Sequence, residues 1–286
     1  MTTVAPSARR FLATRGGPPG RVGLLGAALD LTESCRAGTR AAPDRIRAAS
    51  DTLETYSPVL DRDLEDLDVV DWGDVAIDGM AMAPALAAIQ ARFLEVLRSG
   101  FGVLLGGEHT VALAGFRAAR EVYPDACLVQ FDAHLDAREE FEGRRVCHAT
   151  WVNCVGEEFG LEHVVQLGIR SGTREEFRRA RRGCLFTTPE VTLPAALLDR
   201  LAGRPLYLSV DIDVLDPGAA PGTGCPEPGG VSFRELLAAL YALRPLRVVG
   251  FDVSEVLPDT DPASVTCTSA AKLVRELILL FGQPTR

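Results

Sequence analysis

Short apolar runs recur along the chain and alternate with longer stretches of helical periodicity. The runs predict strands over residues 21–25, 67–71, 102–105, 127–131, 164–169, 184–187, 206–210 and 247–251. The intervening pattern predicts helices over 43–52, 83–99, 110–123, 174–182 and 232–243. Within 83–99, Leu86, Ile89, Phe93 and Leu97 fall on one helical face. Strands that are apolar on both faces and alternate with helices predict a parallel sheet between two helix layers, an α/β architecture. No internal repeat breaks the chain. The Pro/Gly-rich stretch 216–230 follows a polar strand end, so it reads as an active-site loop rather than a linker. Residues 21–286 are therefore expected to form one domain, preceded by a flexible arm over 1–20.

Composition narrows the function classes. The 286 residues carry 30 basic against 39 acidic side chains, a net charge of −9. That balance excludes a basic nucleic-acid footprint and favours a cationic small-molecule substrate. The C-terminal apolar run, 277–281, is far too short to span a membrane, and no apolar core of signal-peptide length follows Arg9, Arg10 and Arg15. Seven scattered cysteines without a Cys-x-x-Cys pair predict reduced thiols and a cytoplasmic protein. Lys272 is the only lysine, in what reads as a surface helix, so Schiff-base chemistry has almost no candidate.

Acids and histidines gather just past predicted strand ends, where open α/β sheets bind ligands. Gly106-Gly107-Glu108-His109 follows one strand, Asp132-Ala133-His134-Leu135-Asp136 a second, and Asp211-Ile212-Asp213 a third; Asp252 and Glu255 follow a fourth. The two-residue spacing of Asp132, His134 and Asp136 would put all three side chains on one face of extended chain, and Asp211 and Asp213 repeat that spacing. Four crowded carboxylates without countercharge are unfavourable, and two divalent cations would balance them. Four carboxylates with the imidazoles of His109 and His134 suit a hard or borderline metal such as manganese. A two-metal hydrolase is the chemistry this donor set fits, whether of amide, phosphoester or guanidine bonds.

These residues resemble the ureohydrolase family of arginases and agmatinases. The likeness rests on Gly106 to His109, on Asp132 to Asp136, and on Ser209-x-Asp211-x-Asp213-x-x-Asp216-Pro217. It extends through Gly38-Thr39-Arg40, Asp71-Trp72-Gly73-Asp74 and Leu167-Gly168-Ile169-Arg170-Ser171, covering nearly everything beyond residue 20. The resemblance implies a three-layer α/β/α sandwich with an eight-stranded parallel sheet. It also implies two Mn2+ per subunit that activate water for attack on a guanidinium carbon. One ion would be held by His109, Asp132, Asp136 and Asp211, the other by Asp132, His134, Asp211 and Asp213. Glu255 matches the family's guanidinium-binding glutamate, Asp136 would pass a proton to the departing amine, and His148 matches a histidine that relays protons at the mouth. A cationic guanidino substrate and a homotrimer or homohexamer follow from the same likeness, with neither nucleic acid nor membrane as partner.

Substrate choice is less sharply written. The segment 219–230 looks agmatinase-like, and 135–151 lacks the Asn/Ser pattern with which arginases hold an α-amino acid. Agmatine is therefore the expected substrate, with arginine or guanidinobutyrate as alternatives and a non-catalytic metal-binding scaffold as a remote one. The loop 137–148 holds Glu139, Glu140 and Glu142 but also Arg138, Arg144 and Arg145, so its charge does not choose. His163 and Cys147 read as structural.

Overall fold

The structure, a computed structural model, describes residues 9–282 and the backbone of Val4–Ala5. Eight strands form the parallel body of one sheet. They are β1 (Val22–Gly26), β2 (Val69–Val75), β3 (Phe101–Leu105), β4 (Cys127–Phe131), β5 (Val164–Leu167), β6 (Phe186–Thr188), β7 (Pro205–Asp211) and β8 (Arg247–Ser254). Their order across the sheet is β2-β1-β3-β8-β7-β4-β5-β6. Each matches a run expected from the sequence, with its ends shifted slightly. The expected count of eight is corrected to ten, because two short segments join the β2 edge. Val4–Ala5 pairs antiparallel with β2, and Arg15–Gly16 pairs parallel with it. Two-residue strands carry no alternation for a periodicity argument to detect.

Neighbouring residues in the strands turn to opposite faces. Leu24, Val103, Val129 and Leu208 enter one core, while Leu25, Leu104, Leu128 and Tyr207 enter the other. The helices are α1 (Ala42–Ser50), α2 (Met82–Ser99), α3 (Val111–Val122), α4 (Trp151–Phe159), α5 (Arg174–Gly183), α6 (Ala195–Leu201), α7 (Phe233–Ala242) and α8 (Val265–Phe281). Ile46, Leu197, Leu236 and Leu277 place α1, α6, α7 and α8 on the first face. Ile89, Phe116, Trp151 and Ala180 place α2, α3, α4 and α5 on the second. The result is a three-layer α/β/α sandwich. Reciprocal capping boxes start α5 at Thr173/Glu176 and α7 at Ser232/Glu235. α8, expected at the surface, is instead buried through Ala270, Ala271, Leu273, Val274 and Ile278, and flanks such as Lys272 reach solvent.

The expectation of a loose arm over 1–20 meets a fastened segment over its described second half; residues 1–3 and 6–8 lie outside the described residues, as do 283–286 of the expected domain. Phe11 is buried in the first core, and its N–H donates to Asp71 Oδ2 at 3.0 Å. Asp71 is the hub of a buried network. Arg47, fully buried on α1, forks onto both Asp71 oxygens at 2.7 and 2.9 Å and reaches Asp74 Oδ1 at 2.6 Å. Removing the guanidinium would strand Asp71 without its countercharge. Arg47→Met is expected to cost about 3–5 kcal/mol of unfolding free energy, read by urea denaturation of the metal-free protein. A loss below about 1 kcal/mol would contradict this account of the network.

Candidate metal centre

The four motif segments leave the C-terminal ends of β3, β4, β7 and β8, four adjacent central strands. The chain crosses from β3 to β4 around the β8/β7 pair, so the strand order changes direction there, and a crevice opens beyond the strand ends. Gly107 is needed for close approach: a Cβ on it would lie 2.0 Å from the Leu29 carbonyl oxygen. That contact lets Glu108 fold under the 30–34 loop. Its carboxylate accepts from the Leu31 and Thr32 amides at 2.5 and 2.7 Å and from the Thr32 hydroxyl at 2.6 Å.

The carboxylates do not converge along extended strands, as their spacing suggested. Asp132 follows β4 and accepts the His134 N–H on its own Oδ1 at 2.6 Å, which turns the chain at once. Asp136 then takes a left-handed φ of 50°. Asp211 closes β7 and accepts the Asp213 N–H at 2.8 Å, and Asp213 sits in the 3-10 turn Ile212–Val214. Turns tied by their own carboxylates, rather than strand alternation, aim these groups at one point.

At that point His109 Nδ1 faces Asp136 Oδ2 at 3.0 Å, Asp132 Oδ2 at 3.1 Å and Asp211 Oδ2 at 3.2 Å. Its Nε2 meets Ser209 Oγ at 2.9 Å, and the Ser209 hydroxyl donates to Asp252 Oδ1 at 2.9 Å. With that hydroxyl proton spent on Asp252, Ser209 accepts from Nε2–H. Burial opposes a charge on this ring, but Asp132, Asp136 and Asp211 outweigh it and keep Nδ1 protonated; a cation that displaces that proton would meet an Nδ1 lone pair aimed into the site. His134 Nδ1 lies 2.8 Å from Asp213 Oδ2, whose other oxygen accepts the Ala133 N–H at 3.0 Å. Two groups of donor atoms, His109/Asp132/Asp211 and Asp132/His134/Asp213, each lie within 4.8 Å of one another and could each hold a metal ion, with Asp132 common to both. Asp136 joins the first group through His109, and Asp211 meets the second through Asp213. The donor chemistry fits a pair of divalent cations: all oxygen and imidazole nitrogen, buried, with excess negative charge.

The electrostatics of the metal-free cluster agree. Burial, then Asp136 and Asp213, push Asp132 up to about 7. Burial, then Asp213 and Asp132, push Asp211 well above the carboxylate range. Burial opposes the charged form of His134, but Asp213 outweighs it and holds the ring at about 10. The cluster thus retains protons at neutral pH.

Glu255 stands beside this group at the end of β8, in a left-handed conformation with φ 63°. It is pinned from both ends: its N–H donates to the Gly107 carbonyl at 2.8 Å, and its Oε1 accepts the His109 N–H at 2.6 Å. Strain of this kind persists only where the surroundings over-determine it. His148 lines the same cleft, its ring nitrogens 3.2 Å from Thr32 Oγ1 and 3.3 Å from Ser34 Oγ. His163 lies apart against Arg204, and Cys147 is buried beside Thr150. Several contributors carried no sequence signal. Gln130 on β4 donates to Asp132 Oδ2 at 2.5 Å, and Trp151 Nε1 donates to Asp136 Oδ2 at 2.9 Å. Glu33 is a third such residue, whereas Ser209 and Asp252, which complete the set, stand in the motif segments named from the sequence.

The arginase family profile matches residues 20–280. The chain belongs to the arginase family. Within it the chain is an agmatinase-like hydrolase. The agmatinase of Bacillus subtilis (strain 168) is 41% identical over 263 residues, covering 90% of this chain and 91% of the relative. The guanidinobutyrase of Pseudomonas aeruginosa is 33% identical over 274 residues, covering 90% of this chain and 85% of the relative. The solved agmatine ureohydrolase of Thermoplasma volcanium superposes with a TM-score of 0.85 at 28% identity, covering 96% of this chain and 94% of that one. The family and the three-layer fold expected from the motifs are borne out.

Because the protons held by His109, His134 and Asp132 compete with cations, metal uptake should release protons and strengthen as pH rises. Each proton displaced weakens binding about tenfold per unit of falling pH through the neutral range. Calorimetric titration of Mn2+ into metal-free protein, repeated in buffers of different ionisation enthalpy, reads the proton count. Affinity that does not change between about pH 6.5 and pH 8.5 would contradict the arrangement.

Proposed function

We propose that this protein releases urea from agmatine, leaving putrescine, with two Mn2+ per subunit as its cofactor. The observation that carries the substrate reading is the charge of the cleft. Apart from the metal-site residues, a cavity of about 300 Å3 is lined by Glu33, Glu176 and Glu255 against a single arginine, Arg138. Arg138 is itself engaged, 3.6 Å from Glu176 and stacked over Phe141. Of the arginines and glutamates of the 137–148 loop only Arg138 lines the cleft, so the cleft's acidic character comes from Glu33, Glu176 and Glu255 outside that loop. A doubly cationic guanidino-amine suits such a lining better than a zwitterion or a guanidino acid. Arg138 is the feature that favours the second reading, a guanidino acid whose carboxylate it would meet.

In this reading His109, Asp132, Asp136 and Asp211 hold one ion and Asp132, His134, Asp211 and Asp213 the other. When bound, the pair supplies Lewis-acid activation of water for attack on the guanidinium carbon. Glu255 holds the guanidinium by charge-assisted hydrogen bonds, fixed in aim by the His109 amide. Asp136, oriented by Trp151, hands a proton to the departing amine nitrogen. His148, on the Thr32 and Ser34 hydroxyls, exchanges protons between the cleft and solvent. The assembly is a homotrimer or homohexamer on the strength of the resemblance, and the setting is cytoplasmic on the strength of the scattered cysteines; no described helix is long and apolar enough to cross a membrane.

Urea release measured side by side decides the substrate. Agmatine is expected to exceed arginine and guanidinobutyrate by about tenfold or more in kcat/KM, and faster turnover of either competitor overturns the reading. Variants separate the roles. Glu255→Gln should abolish turnover and leave metal content intact, whereas His148→Ala should retain activity lowered about 10²-fold. Loss of metal from the Glu255 variant would contradict its assignment.

A further inference from the structure

Resting on that reading, we propose that Glu33 is the residue that makes the cleft select a guanidino compound with a cationic tail over one with an anionic tail. Glu33 belongs to none of the metal-type motifs, yet its carboxylate lines the cleft beside Glu255. The two carboxyl groups stand within hydrogen-bonding range of each other. Both face the space over Gly224, where a Cβ would lie 3.5 Å from Glu33 Oε2 and 3.7 Å from Glu255 Oε2. No described arginine or lysine pairs with either group.

The Glu33 side chain is built into place. Its Oε1 accepts the Thr39 hydroxyl at 2.8 Å, the Gly38 N–H closes the loop onto Asp30 at 2.7 Å, and Glu108 holds the preceding amides. Oε2, on the side of Glu255, takes no hydrogen bond from the rest of the loop and can meet a ligand once a guanidinium engages Glu255. Exposure increases from Glu255, 7% exposed, through half-buried Glu33 to exposed Ser34, so Glu33 lies on the mouthward side of the guanidinium site. Glu176 is engaged by Arg138, and Asp213 by His134. Once a guanidinium neutralises Glu255, Glu33 is the uncompensated acid that the rest of the substrate passes. It attracts an ammonium and repels a carboxylate, and across a half-buried wall that difference is worth at least tenfold in binding. Burial, opposed by Thr39 and reinforced by Glu108, pushes Glu33 up to about 7, so a cation in the cleft favours its ionised form.

The test compares kcat and KM for agmatine and 4-guanidinobutyrate in the Mn2+-loaded wild type, Glu33→Gln and Glu33→Asp at about pH 8.5, above the Glu33 value. Glu33→Gln is expected to raise KM for agmatine and lower the agmatine-to-guanidinobutyrate ratio of kcat/KM about tenfold or more. Glu33→Asp, which keeps the charge, should restore most of that ratio. A purely structural role through Thr39 would depress both substrates equally, and an unmoved ratio in Glu33→Gln overturns the proposal while agmatine turnover by wild type still stands. Wild type that prefers guanidinobutyrate defeats the functional reading itself, and this inference with it.

Discussion

Everything at the rim of the sheet answers to one electrostatic problem, the burial of Asp132, Asp211 and Asp213 within reach of one another. Such a group is unfavourable unless cations or protons neutralise it. In the metal-free protein His134 and His109 take part of the load, and burial makes Asp132 and Asp211 keep protons they would lose in water. A pair of divalent ions solves the same problem more completely. The scaffold keeps the problem in place: four adjacent parallel strands deliver the segments, and two apolar cores hold those strands rigid.

A second layer of polar contacts sets the direction of each group. Asp252 and Ser209 fix the tautomer of His109, Gln130 holds Asp132, and Trp151 holds Asp136. The Glu255 carboxylate accepts the His109 amide, so the acid proposed to hold the guanidinium and the ring proposed to hold a metal share one support. Glu108 extends that support to the 30–34 loop, which carries Glu33 and touches His148. Chemistry at the floor of the cleft and selection at its wall are thus joined through the Gly-Gly-Glu-His segment.

The strand runs and the gathering of acids and histidines past the strand ends were legible because each leaves a local trace, an apolar run followed by an Asp-x-His-x-Asp or Asp-x-Asp signature. Their geometry was not. The spacing suggested one face of an extended strand, whereas Asp132 and Asp211 turn the chain with their own carboxylates, a choice made by hydrogen bonding and invisible to periodicity. Glu33, Trp151 and Gln130 act across sequence distances or from within apolar elements, where no neighbouring residue announces a role. The fastening of the described part of the arm is hidden for a related reason: Arg9, Arg10 and the neighbouring prolines look solvated, while Phe11 and its amide find Asp71 sixty residues away. α4 was not anticipated at all, since Gly156 and its β-branched residues obscure its period.

Asp132 is common to both donor groups, so both metal ions would depend on it. Metal analysis combined with calorimetric titration of Mn2+ into the metal-free wild type and Asp132→Ala tests that dependence directly. Two Mn2+ per chain are expected in the active wild type, with both lost in the variant. A fully active wild type holding a single tight ion would contradict it.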